Sequence, residues 1–292
     1  MKTLLFPGLG KITADQFSSY TQPKREYFQY VKDLIAVGNL NSDSSHTLVS
    51  SFSVAEGIAT AQLYKAQGGT YAAVSGYSVG QMAALYAAGI LDWRSALELA
   101  VQRSLLMKKY MPLDHGMLSV IGPTQGDIKT LLAEAKLDQK IFFSTINSLF
   151  NHTLCGLKEN LNVFSQQLTK LNFQVQLLDV EGSWHSPFLK DSLQEYQQLL
   201  DRYEFRPPTC IYVCNYSGAG EEEPGVIKNN LLGHMCSPVL WHKSIQTLVQ
   251  FGTTHFLECG QGDQLKKMLF YMRTKPCFSM ATNEDITKCV AL

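Results

Sequence analysis

The sequence predicts an α/β fold, in which a larger part with a mainly parallel sheet carries a small ferredoxin-like insert. Strand-like and helix-like segments alternate in the first and last thirds of the chain, an order typical of parallel sheets. The middle third follows the order β-α-β-β-α-β, which is the ferredoxin-like pattern. The 292 residues are 45% hydrophobic, enough for a sizeable core. We therefore assign residues 1–115 and 181–292 to the larger domain and residues 116–180 to the inserted subdomain.

Each predicted element rests on the period of its apolar residues and on the glycine, proline or polar residues that bound it. In the first third these are a strand at 2–6, a helix at 50–66, a strand and turn at 71–80, a helix ending at Gly89 and an amphipathic helix at 92–111. In the insert they are strands at 115–122, 140–148, 151–157 and 173–180, with helices at 124–137 and 158–172. The last third predicts helices at 186–203, 244–252 and 263–272, strands at 210–215 and 254–259, and an acidic loop at 218–225.

Composition and charge give no sign of a nucleic-acid or membrane partner. The formal net charge is zero, which provides no basic footprint for DNA or RNA. The apolar run at the start stops at Pro7, and no stretch approaches the roughly 20 apolar residues of a membrane span. The seven cysteines are scattered and lack C-x-x-C spacing, which favours reduced thiols over disulfides or a zinc site. We therefore expect a cytoplasmic protein without a metal.

The segment GQGDQL at residues 260–265 has the glycines of a phosphate-binding loop but not the rest of the motif. It lacks the Lys-Ser/Thr pair, and it follows the last predicted strand. We interpret it as a structural turn and expect no bound cofactor.

Ser78 lies in GYSVG, a G-x-S-x-G pattern placed where a predicted strand gives way to a helix. A sharp turn there exposes the hydroxyl, and its glycines avoid side-chain clashes. The positive end of the following helix faces any developing oxyanion. A serine also needs a neighbouring base to become a nucleophile. The pentapeptide recurs by chance, so an ordinary turn serine remains an alternative reading of the motif alone.

Seven histidines are candidates for that base, and each taken singly is more often structural. His185 differs because it lies in EGSWHSPFL, a glycine-marked loop where the insert returns to the larger domain. Loops at such junctions border clefts. Pro187 then starts a new helix. His185 is therefore the favoured partner for Ser78.

Five motifs together carry a resemblance to a known family, and it runs from Leu4 to Leu269. The chain resembles malonyl-CoA:acyl carrier protein transacylases and the acyltransferase domains of polyketide and fatty acid synthases. The resemblance implies an α/β-hydrolase-like larger domain beside the ferredoxin-like subdomain. The motifs that carry it, in order, are FPGLG, GYSVGQMAALYAAGILDW, GSWHSPFL, SPVLWHKSIQTL and FLECGQGDQL.

The resemblance implies a catalytic dyad and an oxyanion hole. Ser78 matches the family's acylated serine, and His185 matches the histidine that activates it. The family orients that histidine with a main-chain carbonyl, which maps to His234, where the family usually has glutamine or asparagine. The backbone N–H groups of Leu9 and Val79 match the oxyanion donors. Leu9 stands where the family has glutamine, so any role of that side chain is lost.

The resemblance also implies a site for the acyl group. Arg103 matches the arginine that binds the free carboxylate of malonyl groups, and a planar guanidinium fits a carboxylate as a bidentate fork. Without the family, Arg103 reads as a solvated helix residue. Tyr77 replaces the usual histidine before the serine, and Trp184 lies at a position linked to extender choice. A bulky indole beside His185 narrows the pocket, so we expect unsubstituted malonyl rather than methylmalonyl.

The implied reaction is ping-pong transfer of a malonyl group from CoA to the phosphopantetheine thiol of an acyl carrier protein. CoA enters as a thioester substrate. We expect a discrete monomer that serves carrier proteins in trans, and the departures from the housekeeping pattern favour a polyketide synthase over fatty acid synthesis. Two alternatives stay open. An acyl hydrolase that clears carrier proteins is disfavoured by Arg103, and a non-catalytic scaffold is disfavoured by the joint presence of Ser78, His185 and Arg103.

Overall fold

The computed structural model describes residues 1–9, 24–37, 45–180 and 182–292. The strands of this described part are β1 Lys2–Phe6, β2 Ala73–Gly76, β3 His115–Ile121, β4 Ile141–Ser148, β5 Asn151–Leu157, β6 Gln174–Leu177, β7 Ile211–Val213, β8 His255–Cys259 and β9 Cys277–Met280. Its α-helices are α1 Lys24–Val37, α2 Ser45–Ala66, α3 Gln81–Ala87, α4 Trp93–Tyr110, α5 Gln125–Glu134, α6 Lys158–Lys170, α7 Leu193–Leu200, α8 Pro224–His234, α9 Trp241–Gln250, α10 Gln264–Tyr271 and α11 Asn283–Val290.

The larger sheet has five strands in the order β7-β2-β1-β8-β9, and all neighbours are parallel. Its two faces are covered by different helices. Leu4 and Phe6 of β1 pack into the core formed with α2, α3 and α4, whereas Leu5 packs with α9 and α10 on the other face. A parallel sheet covered on both faces is the arrangement that alternating strands and helices predict. The predicted α/β class is confirmed.

The smaller sheet has four strands in the order β4-β5-β3-β6, and all neighbours are antiparallel. This order and the interleaved helices α5 and α6 are those of the predicted ferredoxin-like unit. Its core joins Leu118 and Leu154 of the sheet to Leu132 of α5 and Phe164 of α6. The sheet spans residues 115–177, and the domain boundaries at 116 and 180 stay a prediction.

Local sequence signals explain where several helices begin and end. The Asp92 side chain accepts the Ser95 N–H at 3.0 Å and caps α4. Thr124 and Asp127 form a reciprocal capping box at α5. After α3, Gly89 takes a φ of +73°, the left-handed conformation that ends a helix.

Strand β4 of the smaller sheet is bonded to the larger part of the chain through Val239, which lies between α8 and α9, and through Tyr77 beside Ser78. The Val239 N–H donates to the Ser144 carbonyl at 2.9 Å, and the Ile146 N–H donates to the Val239 carbonyl at 2.9 Å. The Tyr77 hydroxyl donates to Asn147 Oδ1 at 2.9 Å. These bonds fix the smaller sheet against the part of the chain that contains Ser78.

Helix α1 was not predicted from the sequence, and three other segments also differ from the prediction. Helix α8 begins at Pro224, inside the stretch predicted as a loop, because proline at a first helical position favours a helix start. The predicted helix at 186–203 begins as a 3₁₀ turn over Pro187–Ser192. Strand β9 and helix α11 were missed, so the GQGDQL turn lies between two strands rather than after the last one. Strand β9 has four residues, too few for a clear period.

No helix in the described ranges is long and apolar enough to cross a membrane. The same residues contain no group of three or more histidine, cysteine or acidic side chains placed to hold a metal ion. All seven cysteines lie in the described part of the chain and are unpaired.

Candidate active site

Ser78 lies on a sharp turn between β2 and α3, and its φ of +54° places it in the left-handed region. The two glycines of the motif permit the turn. A Cβ on Gly76 would lie 2.2 Å from the Gly80 backbone, and one on Gly80 would lie 2.3 Å from the Phe6 carbonyl. Any side chain at either position would therefore push the turn apart. This is the geometry of a nucleophile elbow.

Asn215 holds the elbow from the neighbouring strand, and sequence reasoning missed it. Its Oδ1 accepts the Ser78 N–H at 2.8 Å, and its Nδ2 donates to the Gly76 carbonyl at 2.5 Å. Its own N–H donates to Gln81 Oε1 at 3.1 Å. Asn215 is fully buried just after β7, which pairs with β2. A polar residue at the carboxyl end of an adjacent parallel strand was the signal that could have found it.

His185 meets Ser78 across 107 positions of sequence. The distance from Ser78 Oγ to His185 Nε2 is 2.7 Å. On the other side of the ring, Nδ1 lies 3.1 Å from the His234 carbonyl oxygen. Because a carbonyl oxygen can only accept a hydrogen bond, Nδ1 must be the nitrogen that carries the proton. This contact leaves the proton on Nδ1 and a lone pair on Nε2, so Nε2 accepts the Ser78 hydroxyl proton. His185 has a φ of +57° and is thus held in a costly conformation, as Ser78 is.

The surroundings keep His185 uncharged. Burial, followed by the positive charge of Arg103, lowers the pKa of His185 to about 3, and the His234 carbonyl opposes the shift. The His234 ring stacks on His185 with centroids 4.3 Å apart, and burial holds the pKa of His234 well below its usual value. Both imidazoles are neutral at pH 7, and a neutral His185 is the form that takes a proton.

Arg103, on α4, is only 3% exposed. Among the described residues no carboxylate lies within ion-pair distance of it, and its Nη2 has no hydrogen-bond partner. Burial lowers the pKa of the guanidinium, and Tyr196 opposes that shift. A buried cation without a counter-ion is costly, and an anion entering the site would relieve that cost. Arg103 is therefore poised to receive an anionic group.

The Pro7–Leu9 loop packs against the elbow. A Cβ on Gly8 would lie 3.0 Å from the Tyr77 carbonyl, so the glycine permits this close approach. Ser53 Oγ donates to the Gly8 carbonyl at 2.6 Å and anchors the loop on α2. Leu9 and Val79 thus flank Ser78, the arrangement that an oxyanion site between their backbone N–H groups requires.

One cavity of about 220 Å³ unites these residues, and we call it the Ser78 cavity. Tyr77 lies in its wall with its ring edge-on to Trp241 at 5.3 Å, and burial raises the Tyr77 pKa to about 12. Trp184 is 8% exposed and packs over Gly182. The cavity is lined by Leu9, Ser50, Tyr77, Ser78, Val79, Arg103, Ser104, Met107, Met117, Thr145, Thr153, Leu178, Val180, Trp184, His185 and Gln264. Of the predicted site residues, His234 is outside this lining and contributes its carbonyl from behind His185.

A parallel α/β sheet with an elbow serine bonded to a neutral histidine is typical of enzymes that form acyl-serine intermediates. The chain belongs to the acyl transferase domain family, whose model matches residues 30–267. The predicted family resemblance is confirmed, and the chain is an enzyme of the acyltransferase kind.

Individual relatives agree with this assignment. The chain is 27% identical over 215 residues to the malonyl CoA-acyl carrier protein transacylase of Staphylococcus aureus, covering 72% of this chain and 70% of the relative. The fold superposes on the acyl-carrier-protein S-malonyltransferase from Burkholderia pseudomallei with a TM-score of 0.90, at 22% identity and 100% and 99% coverage. It also matches a malonyl-transacylase solved in complex with its type II PKS acyl-carrier protein, with a TM-score of 0.88, 19% identity and 99% coverage of both chains.

Proposed function

We propose that this protein transfers a malonyl group from CoA to the phosphopantetheine thiol of an acyl carrier protein through Ser78. The observation that carries the proposal is the Ser78–His185 pair at 2.7 Å in a cavity that also contains the buried, unpaired Arg103. Ser78 as a nucleophile requires a substrate with an acyl group, and the buried Arg103 favours an acyl group that carries a carboxylate at its other end. Malonyl has both features. The names of the curated relatives support the same substrates.

In the first half-reaction, His185 Nε2 takes the proton from Ser78 Oγ as the oxygen attacks the thioester carbonyl carbon. Negative charge moves onto the carbonyl oxygen, where the N–H groups of Leu9 and Val79 are the proposed donors. Each such donor contributes about 3 kcal/mol to transition-state stabilisation. The C–S bond then breaks, His185 gives its proton to the CoA sulfur, and Ser78 carries a malonyl ester.

In the second half-reaction, the carrier-protein thiol takes the place that CoA left. His185 removes the thiol proton, the sulfur attacks the ester carbonyl, and Ser78 leaves with the proton returned by His185. The His234 carbonyl stabilises the imidazolium that forms transiently in both steps. Ser78 and His185 thus act in both half-reactions.

Arg103 is the proposed partner of the malonyl carboxylate. Its buried position at the cavity wall makes a bidentate contact strong, because little water competes for the guanidinium. Tyr77 and Trp184 occupy the same cavity, and their bulk supports unsubstituted malonyl over methylmalonyl.

The carrier is proposed to belong to a polyketide synthase that this enzyme serves in trans, as a cytoplasmic monomer. Support comes from the solved neighbour bound to its type II PKS acyl-carrier protein and from the free cysteines.

The test is intact-protein mass spectrometry after exposure to malonyl-CoA, followed by addition of a phosphopantetheinylated carrier protein. We expect wild-type protein to gain one malonyl group and then to pass it to the carrier, whereas Ser78→Ala gains nothing. Release of free malonate without malonyl carrier would instead indicate a hydrolase. Absence of both a mass gain and turnover in wild type would overturn the proposal.

A further inference from the structure

The polar side chains of the Ser78 cavity divide into those already bonded and those left free. Four hydrogen bonds account for most of them: Ser50 to Ser104, Tyr77 to Asn147, Ser78 to His185 and Thr145 to Thr153. Trp184 also has an interaction partner. Within the described part of the chain, the polar groups that line this cavity without a hydrogen-bond partner are therefore Arg103 Nη2 and the carboxamide of Gln264. Arg103 has a proposed ligand, and Gln264 does not.

Gln264 is held firmly in place at the start of α10. The carboxylate of Glu258 accepts the N–H of Leu265 at 2.9 Å and the N–H of Lys266 at 2.9 Å. Glu258 and Leu265 are both fully buried. The backbone beside Gln264 is therefore fixed to the end of β8, and only the side chain of Gln264 is free to meet a ligand.

Arg103 and Gln264 line the same cavity but differ in exposure. Arg103 is 3% exposed, whereas Gln264 is an exposed residue, so the cavity meets solvent on the side of Gln264. With the malonyl carboxylate on Arg103 and the thioester carbon at Ser78, the thiol arm leaves past Gln264. A cavity of about 220 Å³ keeps these groups within reach of one small ligand.

The arm shared by CoA and carrier proteins has a secondary amide two carbons beyond its sulfur. A carboxamide has two N–H donors and an acceptor oxygen, so it pairs with both the N–H and the C=O of such an amide. Leu9, which also lines the cavity, has only an aliphatic side chain and cannot make this pair of hydrogen bonds. We propose that Gln264 is a substrate-positioning residue that hydrogen-bonds this first amide of the phosphopantetheine arm. The inference rests on the proposed function and extends it to the arm common to both thiol substrates.

The experiment removes the Gln264 carboxamide from the enzyme and, separately, the secondary amide from the substrate. The two substrates are the malonyl thioesters of N-acetylcysteamine, which has the amide, and of ethanethiol, which lacks it. The enzyme variants are Gln264→Met, which is close in shape, and the control Gln250→Met, an exposed glutamine at the end of α9 outside the cavity. For Gln264→Met we expect kcat/KM to fall about 3- to 10-fold with the N-acetylcysteamine thioester, mainly through KM, and to stay unchanged with the ethyl thioester. Gln250→Met matches wild type with both.

Two results would overturn the inference. An equal loss with both thioesters would show that Gln264 supports the fold rather than the amide, and no loss with either would show that it makes no contact. Wild-type turnover of malonyl-CoA in the same assay separates these failures from a failure of the proposed function, because its absence refutes the acyl transfer itself.

Discussion

The Ser78 cavity has one wall from the part of the chain that contains the parallel sheet and one wall from the antiparallel sheet, and the two walls differ in backbone conformation. On the parallel-sheet side, Ser78 and His185 both have positive φ. The Ser78 N–H donates to Asn215 Oδ1, and His185 Nδ1 donates to the His234 carbonyl. On the antiparallel side, the Thr145 hydroxyl donates to Thr153 Oγ1 at 2.8 Å, and both residues line the cavity without a positive φ. The first wall contains the Ser78–His185 pair, and the second wall completes the lining of the cavity.

This difference has a physical basis. Strained backbone costs about 1–3 kcal/mol per residue and persists only where the surroundings over-determine it. The parallel sheet is covered on both faces and brings the carboxyl ends of β2 and β7 to one edge, so it tolerates that cost. The antiparallel sheet ends in β6, a largely exposed strand, and the non-glycine residues of this subdomain with positive φ, Lys136 and Asn172, follow helices α5 and α6 outside the cavity lining. Substitutions on the first wall should therefore reduce rate, and those on the second should change little.

The largest expected effect is that of His185→Gln. Without a base, the Ser78 hydroxyl keeps its proton, and we expect the rate of Ser78 acylation to fall about 10²- to 10⁴-fold. Quenched-flow measurement of the acyl-enzyme gives the rate, and circular dichroism verifies folding. A folded variant that acylates within a few-fold of wild type would contradict the role of the parallel-sheet wall.

Arg103→Gln should remove the preference for a carboxylate. Charge-assisted hydrogen bonds contribute about 1.5–3 kcal/mol, so we expect the ratio of kcat/KM for malonyl-CoA to that for acetyl-CoA to fall about 10- to 100-fold. Arg94→Gln, an exposed arginine on the same helix, is the matched control and should keep the ratio. An unchanged ratio in Arg103→Gln would assign the selectivity elsewhere.

Asn215→Ala tests whether the elbow depends on its neighbouring strand. The change leaves the Ser78 N–H and the Gly76 carbonyl without their partner, and we expect acylation to slow about 10- to 100-fold through misplacement of Oγ. Urea unfolding should show a loss of about 1–3 kcal/mol in the free energy of unfolding. The control is Asn162→Ala, at an exposed site on α6 of the other part. If Asn162→Ala lowered the acylation rate and the free energy of unfolding as much as Asn215→Ala does, the proposed role of Asn215 in holding the elbow would be wrong.

The pH dependence of stability should also distinguish the walls. The pKa of His185 is lowered to about 3, so as pH falls below 6.5 the unfolded chain binds a proton that the folded protein does not. Stability from this group is thus present above pH 6.5 and lost towards pH 3, amounting to about 2 kcal/mol between pH 7.5 and pH 5. Urea unfolding at both pH values should show this loss reduced in His185→Gln. His152 of the antiparallel sheet, whose pKa burial lowers less, should show a smaller reduction when changed to Gln.

The smallest expected effect is that of Thr153→Val on the antiparallel wall. Thr145 loses its hydroxyl partner, so we expect the free energy of unfolding to fall by about 1 kcal/mol. Acylation by malonyl-CoA should change less than about threefold, because a single neutral hydrogen bond away from the reacting atoms has little influence on the barrier. A larger rate loss would show that this wall also takes part in the chemistry.

Local patterns made much of this site predictable. The G-x-S-x-G spacing indicated the elbow because the turn admits no side chain at either glycine. A Cβ added at either position would lie 2.2–2.3 Å from backbone atoms. The helical period of residues 92–111 indicated α4 but not that Arg103 faces inward and lacks a counter-ion. Asn215 carried only the signal of a polar residue just after a strand, and Gln264 carried none, since each acts through residues that are distant in sequence.

By itself, the sequence determined the alternation of elements, the ferredoxin-like insert, the elbow and the family, because these depend on the period of apolar residues and on short-range backbone geometry. Only the tertiary structure decided that Ser78 and His185 lie 2.7 Å apart, that Arg103 is buried without a counter-ion among the described residues, and that Gln264 lines the same cavity. Those facts arise where the ends of distant strands and loops meet around one space. Burial at that place determines which side chains are charged and which atoms lie within bonding distance, and no single stretch of the chain encodes either property.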